Sequence, residues 1–137
     1  MKKMLVSILA IASLTACSSG DAVKDPAPGG GANVAAPAGT DWVSTAIKTE
    51  EGGYQMGNPS AAVKLIEYGA FSCSHCGQFA RDSAEGLKAM VAKGTVSYEF
   101  RPFLINPQDV PAALLAACNG PAPFHAIAEG LFADQAN

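Results

Sequence analysis

Residues 63–76 of this chain read Val63-Lys64-Leu65-Ile66-Glu67-Tyr68-Gly69-Ala70-Phe71-Ser72-Cys73-Ser74-His75-Cys76. The first six residues are largely apolar, and near-continuous apolarity of this kind is typical of a central parallel strand. An amphipathic pattern begins at the two cysteines. The Cys-x-x-Cys pair therefore lies at a predicted junction between a strand and a helix.

The helix that follows the cysteines is predicted from residues that recur at three- and four-residue spacing, namely Cys76, Phe79, Ser83, Leu87 and Met90. Gly94 is a natural cap for its carboxyl end. A second strand is indicated by the alternating residues 96–101. Residues 63–101 are thus predicted to form a βαβ unit, which places the cysteines at the carboxyl end of its first strand.

The spacing of the cysteines favours redox chemistry. Both sulfurs can lie on the first turn of one helix, where free backbone N–H groups and the helix dipole stabilise a thiolate. We expect Cys73 to be the exposed nucleophile and Cys76 the partner that closes the disulfide. His75 can add positive charge or a hydrogen bond, which would move the pKa of the thiol from about 8.5 toward roughly 3.5 to 7.5.

The same cysteines are open to two structural interpretations, an inert disulfide and half of a zinc site. A structural zinc site needs four ligands, and the other candidates are His75, Cys118 and His125. Cys118 and His125 fall in a region predicted to pack elsewhere, so no metal is expected. Cys118 is predicted to be a small buried side chain, with a second redox thiol as the alternative, and His125 a solvated surface residue.

The remaining elements are predicted from turn and capping signals. Residues 43–49 and 54–56 flank the turn sequence Glu50-Glu51-Gly52-Gly53, which indicates a hairpin. Beyond Pro102, Asp109 can cap a helix that runs to about Cys118. A second short helix is marked by Phe124, Ile127, Ala128 and Leu131.

The amino-terminal segment has the layout of an export signal. Lys2 and Lys3 precede an apolar run over residues 4–12, which is too short to span a membrane. The following Leu14-Thr15-Ala16-Cys17 resembles the lipobox of bacterial lipoproteins. That resemblance implies that residues 1–16 are a signal peptide and that Cys17 becomes a lipidated amino terminus, tethered to the membrane in the bacterial periplasm. An ordinary signal peptide containing a cysteine is the alternative.

The rest of the chain divides by composition. Residues 17–41 are rich in Gly, Ala and Pro, which predicts a flexible linker after the lipidated cysteine. Residues 42–137 are enough for one domain. The net charge of −3 and the lack of a basic cluster argue against nucleic acid as a partner.

Several of these motifs together resemble the DsbA-like branch of the thioredoxin superfamily. The similarity covers residues 42–135 and is carried by Gly57-Asn58-Pro59, the apolar strand, the segment Phe71-Ser72-Cys73-Ser74-His75-Cys76 and Phe79. It implies an α/β thioredoxin-like fold in which residues 103–137 begin a helical insertion. Residue by residue, Cys73 matches the family's attacking cysteine, Cys76 its buried partner and His75 the histidine that tunes the pair. Ser74 replaces the proline often found there.

The chain departs from this family at its far end. DsbA-like proteins continue after the helical insertion into an antiparallel hairpin and a final helix, and a cis-proline precedes that hairpin. This ββα portion is missing from the sequence. The chain is therefore predicted to be an amino-terminal fragment, a partial domain whose sheet has an unpaired edge.

The predicted function is that of a thiol:disulfide oxidoreductase, which donates a Cys73-Cys76 disulfide to unfolded or reduced exported proteins. The resemblance implies a DsbB-type membrane oxidase as the regenerating partner and no bound cofactor. Two alternatives stay open. One is a disulfide isomerase or reductase of the cell envelope, and the other is a non-catalytic thioredoxin-like module that binds clients or delivers metal.

Overall fold

A computed structural model describes residues 33–135 of the chain. The predicted signal peptide, Cys17 and most of the predicted linker lie outside the described residues. The last part of that linker contacts the domain. The backbone N–H of Val34 donates to the Lys93 carbonyl at 2.9 Å, and the Val34 carbonyl accepts from Trp42 Nε1 at 2.6 Å.

The strands form one four-stranded sheet. In chain order they are β1 (Ala46–Lys48), β2 (Tyr54–Gly57), β3 (Val63–Gly69) and β4 (Val96–Pro102), and their order across the sheet is β1-β2-β4-β3. β1 and β2 pair antiparallel, as do β2 and β4. The predicted entrance hairpin is therefore confirmed, with a shorter first strand than expected.

The predicted βαβ unit is also confirmed. Helix α1 (Ser74–Ala92) connects β3 to β4, and these two strands pair in parallel. Gly94 follows the helix with a φ of +71°, a left-handed conformation that glycine adopts at little cost. This crossover leaves the first turn of α1 directly after the carboxyl end of β3.

The position of β3 differs from the prediction. Within residues 33–135 this strand pairs with β4 alone, so it lies at the end of the sheet, and the expectation of a central strand is wrong there. Its apolar side chains are consequently exposed, Tyr68 at 64%. A central strand needs neighbours on both edges, and the described part of the chain supplies a neighbour for one. The predicted unpaired edge is found at β3 among the described residues.

Two helices follow β4. Helix α2 (Asp109–Ala117) and helix α3 (Phe124–Asp134) pack against each other, and α3 also packs against α1. Asp109 does not cap α2 as predicted, because Gln108 occupies the N-cap and the Asp109 carboxylate turns back to the preceding loop. None of the helices between residues 33 and 135 combines the length and apolar character needed to cross a bilayer.

The core lies between one face of the sheet and the helices. Its larger cluster joins the sheet to α2 and α3 and consists of Tyr54, Phe71, Phe100, Ala116, Phe124, Ala128 and Phe132. The Tyr54 and Phe124 rings stack with centroids 3.8 Å apart. A second cluster under α1 consists of Trp42, Met56, Leu87, Val91 and Val96.

Two predictions about single side chains are wrong. His125 was expected at the surface, but it is only 8% exposed, because the first turn of α3 packs it between the Tyr98 and Phe124 rings. Cys118 was expected to be buried but is exposed. Helix α2 ends at Ala117, and Cys118 follows it, outside the part of the helix that packs against the core. The α/β class predicted for the fold is confirmed.

Candidate functional site

The loop that carries the cysteines is anchored by one aromatic side chain. Phe71 is buried against Phe100 and Phe132, with ring centroids 5.4 and 5.1 Å away. Phe100 lies on β4 and Phe132 on α3. The loop after β3 is thus fixed to both the sheet and the helices two residues before Cys73.

The sequence predicts both sulfurs on the first turn of one helix; in the structure Cys73 occupies the N-cap of α1 and Cys76 lies in its first turn. The Cys73 backbone is extended, with φ −82° and ψ 115°, and its sulfur accepts a hydrogen bond from the Cys76 N–H at 3.4 Å. The Cys73 carbonyl accepts from the Gly77 N–H at 3.0 Å. Both cysteines are free thiols. The geometry is that of a side chain satisfying the otherwise unpartnered N–H groups of a helix start.

The pKa values of the two thiols are shifted in opposite directions. The Cys76 N–H is the main cause that lowers the pKa of Cys73, and the interaction with the Cys76 side chain adds to it. Burial is the main cause that raises the pKa of Cys76. A thiolate at Cys73 and a protonated thiol at Cys76 are therefore the favoured combination in the reduced pair.

The side chain of His75 is exposed beside the pair. The backbone N–H of His75 makes a minor contribution to the lowered pKa of Cys73. The tuning role of the His75 imidazole stays a prediction. No cluster of three or more potential metal ligands occurs among residues 33–135.

A carboxylate that the sequence analysis did not single out lies near Cys76. Burial raises the pKa of Glu67 on β3, although Tyr98 on β4 donates a hydrogen bond to Glu67 Oε2 at 2.5 Å and opposes that shift. The negative charge of Glu67 contributes to the raised pKa of Cys76. Glu67 is therefore a titratable group electrostatically coupled to the buried side of the thiol pair.

A second carboxylate holds the loop from the side of α2. Asp109 is fully buried and accepts from the Ser72 N–H at 2.7 Å and from Ser72 Oγ at 3.1 Å. It also accepts from the N–H groups of Ile105 and Asn106 at 3.0 and 2.8 Å. Burial acts to raise its pKa, but these backbone donors outweigh burial and leave the pKa lowered. Its fixed charge opposes a thiolate at Cys73.

An amide holds the loop from the side of α3. Gln135 Nε2 donates to the Phe71 carbonyl and, at 3.3 Å, to the Cys73 carbonyl. Together with Asp109, this residue surrounds the loop with hydrogen-bond partners from both helices.

Sequence reasoning missed these supporting residues to different degrees. Glu67 was detectable, since a carboxylate that interrupts an apolar strand is a candidate buried acid. Asp109 was noticed as a cap, and its contact with Ser72 joins positions 37 residues apart. Gln135 and Phe71 are 64 residues apart, and no local pattern connects them.

Comparison with known proteins gives one family match. The family model described as Thioredoxin matches residues 49–137. A Rickettsia conorii protein, provisionally named a protein-disulfide oxidoreductase, is 30% identical over 79 residues, which are 57% of this chain and 28% of the relative. The chain therefore spans less than a third of that relative's length.

Two solved structures have the same fold. The protein-disulfide isomerase from Novosphingobium aromaticivorans superposes with a TM-score of 0.60 at 34% identity, over 62% of this chain and 44% of that one. Wolbachia pipientis α-DsbA1 superposes with a TM-score of 0.56 at 26% identity, over 61% and 43%. The predicted thioredoxin-like fold is thereby confirmed, and its matches include DsbA-like proteins.

Proposed function

Because this chain belongs to the thioredoxin family, we propose that it is a thiol:disulfide oxidoreductase whose working pair is Cys73 and Cys76. One observation carries the proposal. The Cys73 sulfur sits at the amino terminus of α1 and accepts the Cys76 N–H, so the helix stabilises a thiolate at one cysteine while burial disfavours it at the other. An inert structural pair needs no such asymmetry.

The proposed reaction begins with the oxidised pair. A client thiolate attacks the Cys73 sulfur, the Cys73–Cys76 bond breaks, and Cys76 leaves and takes up a proton. A second client thiolate then attacks the client sulfur of the mixed disulfide and releases Cys73 as a thiolate. Two client thiols are oxidised and the cysteine pair is reduced by two electrons. The lowered pKa of Cys73 makes it a good leaving group in the second step.

Glu67 is the proposed proton partner of Cys76. A carboxyl group with a raised pKa remains partly protonated at pH values where an ordinary glutamate is ionised, so it can supply a proton to the departing Cys76 thiolate. Tyr98 fixes the carboxyl group through its hydroxyl. In this proposal Tyr98 orients the Glu67 carboxyl group, and Glu67 protonates Cys76, the leaving group of the first step.

A Glu67→Gln substitution is expected to lower the pKa of Cys76, because the negative charge that helps to raise it is removed. We expect a few-fold faster alkylation of Cys76 near neutral pH, measured in a Cys73→Ala background. Glu50→Gln, an equal charge change in the exposed turn between β1 and β2, is the matched control. An unchanged Cys76 profile in Glu67→Gln would contradict the role given to this carboxylate.

The proposed direction is oxidation of reduced exported proteins, with a DsbB-type membrane oxidase regenerating the disulfide. The low pKa of Cys73 supports this direction, since a stabilised thiolate favours the reduced form of the pair and makes its disulfide more oxidising. The bacterial periplasm is the proposed location, with the chain tethered through a lipidated Cys17, on the strength of the Leu14-Thr15-Ala16-Cys17 motif.

Oxidative refolding tests the function and its direction. The full chain in its oxidised form is mixed with a reduced protein whose activity depends on several disulfides, and recovery of that activity is expected to be faster than in its absence. A Cys118→Ser variant should behave like the unmodified chain. A reduction potential near that of thioredoxin, about −270 mV, would favour a reductase or isomerase instead.

A further inference from the structure

Gln135 connects the end of α3 to the redox loop. The residue follows the last helical position of α3, and its side-chain nitrogen donates to the carbonyls of Phe71 and Cys73. These carbonyls lie on either side of Ser72. One amide group therefore holds the backbone on both sides of the residue that precedes the nucleophile.

The Gln135 amide packs against helix α1 at Gly77. A Cβ atom added at Gly77 would overlap the Gln135 amide oxygen, so the glycine leaves the space that this side chain fills. Arg81, one turn further along α1, donates from Nη1 to the Phe132 carbonyl at 2.9 Å. That contact holds the last turn of α3 against α1, which keeps Gln135 within reach of the loop.

The loop has a second tether on its other side. Asp109 accepts from the Ser72 N–H, so the loop backbone is held between a donor on α3 and an acceptor on α2. Cys73 can accept the Cys76 N–H only while its backbone keeps the extended N-cap conformation. The position of its sulfur therefore depends on contacts made two residues earlier and by a helix distant in sequence.

We propose that Gln135 is a positioning residue: its amide, seated against Gly77, fixes the backbone of Phe71 and Cys73 and so keeps the Cys73 sulfur over the amino terminus of α1. The consequence for disulfide exchange rests on the function proposed above. The placement of the sulfur does not, and it is measurable on the reduced chain alone.

The test uses the full chain with Cys17→Ser and Cys118→Ser, which leaves Cys73 and Cys76 as its thiols. Iodoacetamide alkylation of Cys73 is followed by peptide mass spectrometry across a range of pH. Gln135→Leu keeps the approximate size of the side chain and removes both donated hydrogen bonds. We expect Cys73 alkylation at mildly acidic pH to slow by about fivefold or more, since the loss of a single hydrogen bond already corresponds to a change of that size, and we expect its pH midpoint to rise.

A second variant displaces the amide without deleting it. Gly77→Ala puts a methyl group where the Gln135 oxygen lies, while alanine favours the helical conformation at that position. It is expected to shift the Cys73 profile in the same direction as Gln135→Leu. Asp134→Asn, a change at the exposed neighbouring residue, should leave the profile unchanged.

The two variants separate positioning from general stability. An unshifted Cys73 profile in Gln135→Leu, with or without a loss of unfolding free energy, would overturn the proposal. If Gln135→Leu does not fold, the profile of Gly77→Ala decides. Shifted profiles in a chain that oxidises no client would sustain the positioning role and reject the proposed function instead.

Discussion

Replacing Cys73 with serine is expected to reduce disulfide transfer to the uncatalysed background. The substitution removes the sulfur that the client attacks, and neither Cys76 nor Cys118 can replace it. Burial holds the pKa of Cys76 above that of an ordinary thiol, and Cys118 lies outside the helix start. The measurement is oxidative refolding of a reduced client by the oxidised full chain.

Cys76→Ser provides the informative comparison. This variant keeps the thiolate at Cys73 but cannot resolve a mixed disulfide by closing the pair. With a client that already contains a disulfide, the Cys73 thiolate of Cys76→Ser attacks one client sulfur and displaces the other as a thiolate, so mixed disulfides should accumulate on non-reducing gels, disappear on reduction and be absent with Cys73→Ser. Equal adduct formation by the two variants would contradict the assignment of Cys73 as the cysteine that forms the mixed disulfide.

Acidification is expected to destabilise the chain through His125. Burial lowers the pKa of this imidazole to about 4, against 6.5 for an ordinary histidine, and the nearby charge of Lys88 acts in the same direction. Its Nε2 atom is buried without a hydrogen-bond partner among the described residues. The folded protein therefore holds the ring neutral, whereas the unfolded chain binds a proton in the interval between the two values.

The sign of the pH effect follows from that difference. The unfolded state binds more protons between pH 6.5 and about 4, so the free energy of unfolding falls as pH falls through this interval. The loss attributable to His125 is about 3 kcal/mol once the lower limit is reached. Urea unfolding at several pH values measures it.

Two variants isolate the histidine. His125→Phe has no proton to bind and should lose this part of the pH dependence, because an apolar ring suits a site between Tyr98 and Phe124. His75→Ala removes an exposed histidine and should retain it. If His125→Phe loses stability on acidification as steeply as the unmodified chain, another group is responsible.

Local patterns predicted much of this fold. Alternation over residues 96–101, the helical spacing after Cys76 and the glycine at position 94 each depend on near neighbours, and the structure has the predicted strand, helix and cap. The placement of Cys73 at the start of α1 followed from the same reasoning. Both the fold class and the position of the cysteine pair were therefore readable from the sequence.

The errors arose where tertiary packing decides. His125 and Cys118 stand at the ends of short helices, and whether such a residue is buried depends on which elements pack against that end: Tyr98 and Phe124 cover His125, whereas Cys118 is exposed. The neighbours of β3 depend on how distant strands arrange themselves. Gln135 contacts a loop that lies 64 residues earlier in the sequence, so its role is visible only in three dimensions.

The edge of β3 that has no partner strand among residues 33–135 matters for anyone producing this chain. A row of open backbone groups beside exposed Val63, Leu65 and Ile66 is a template onto which a strand of another molecule can add. Lys64 interrupts this surface with charge and so acts as the strand's own gatekeeper. Aggregation should therefore increase steeply with protein concentration. A substitution that neutralises Lys64 should increase the fraction of recombinant protein found in inclusion bodies.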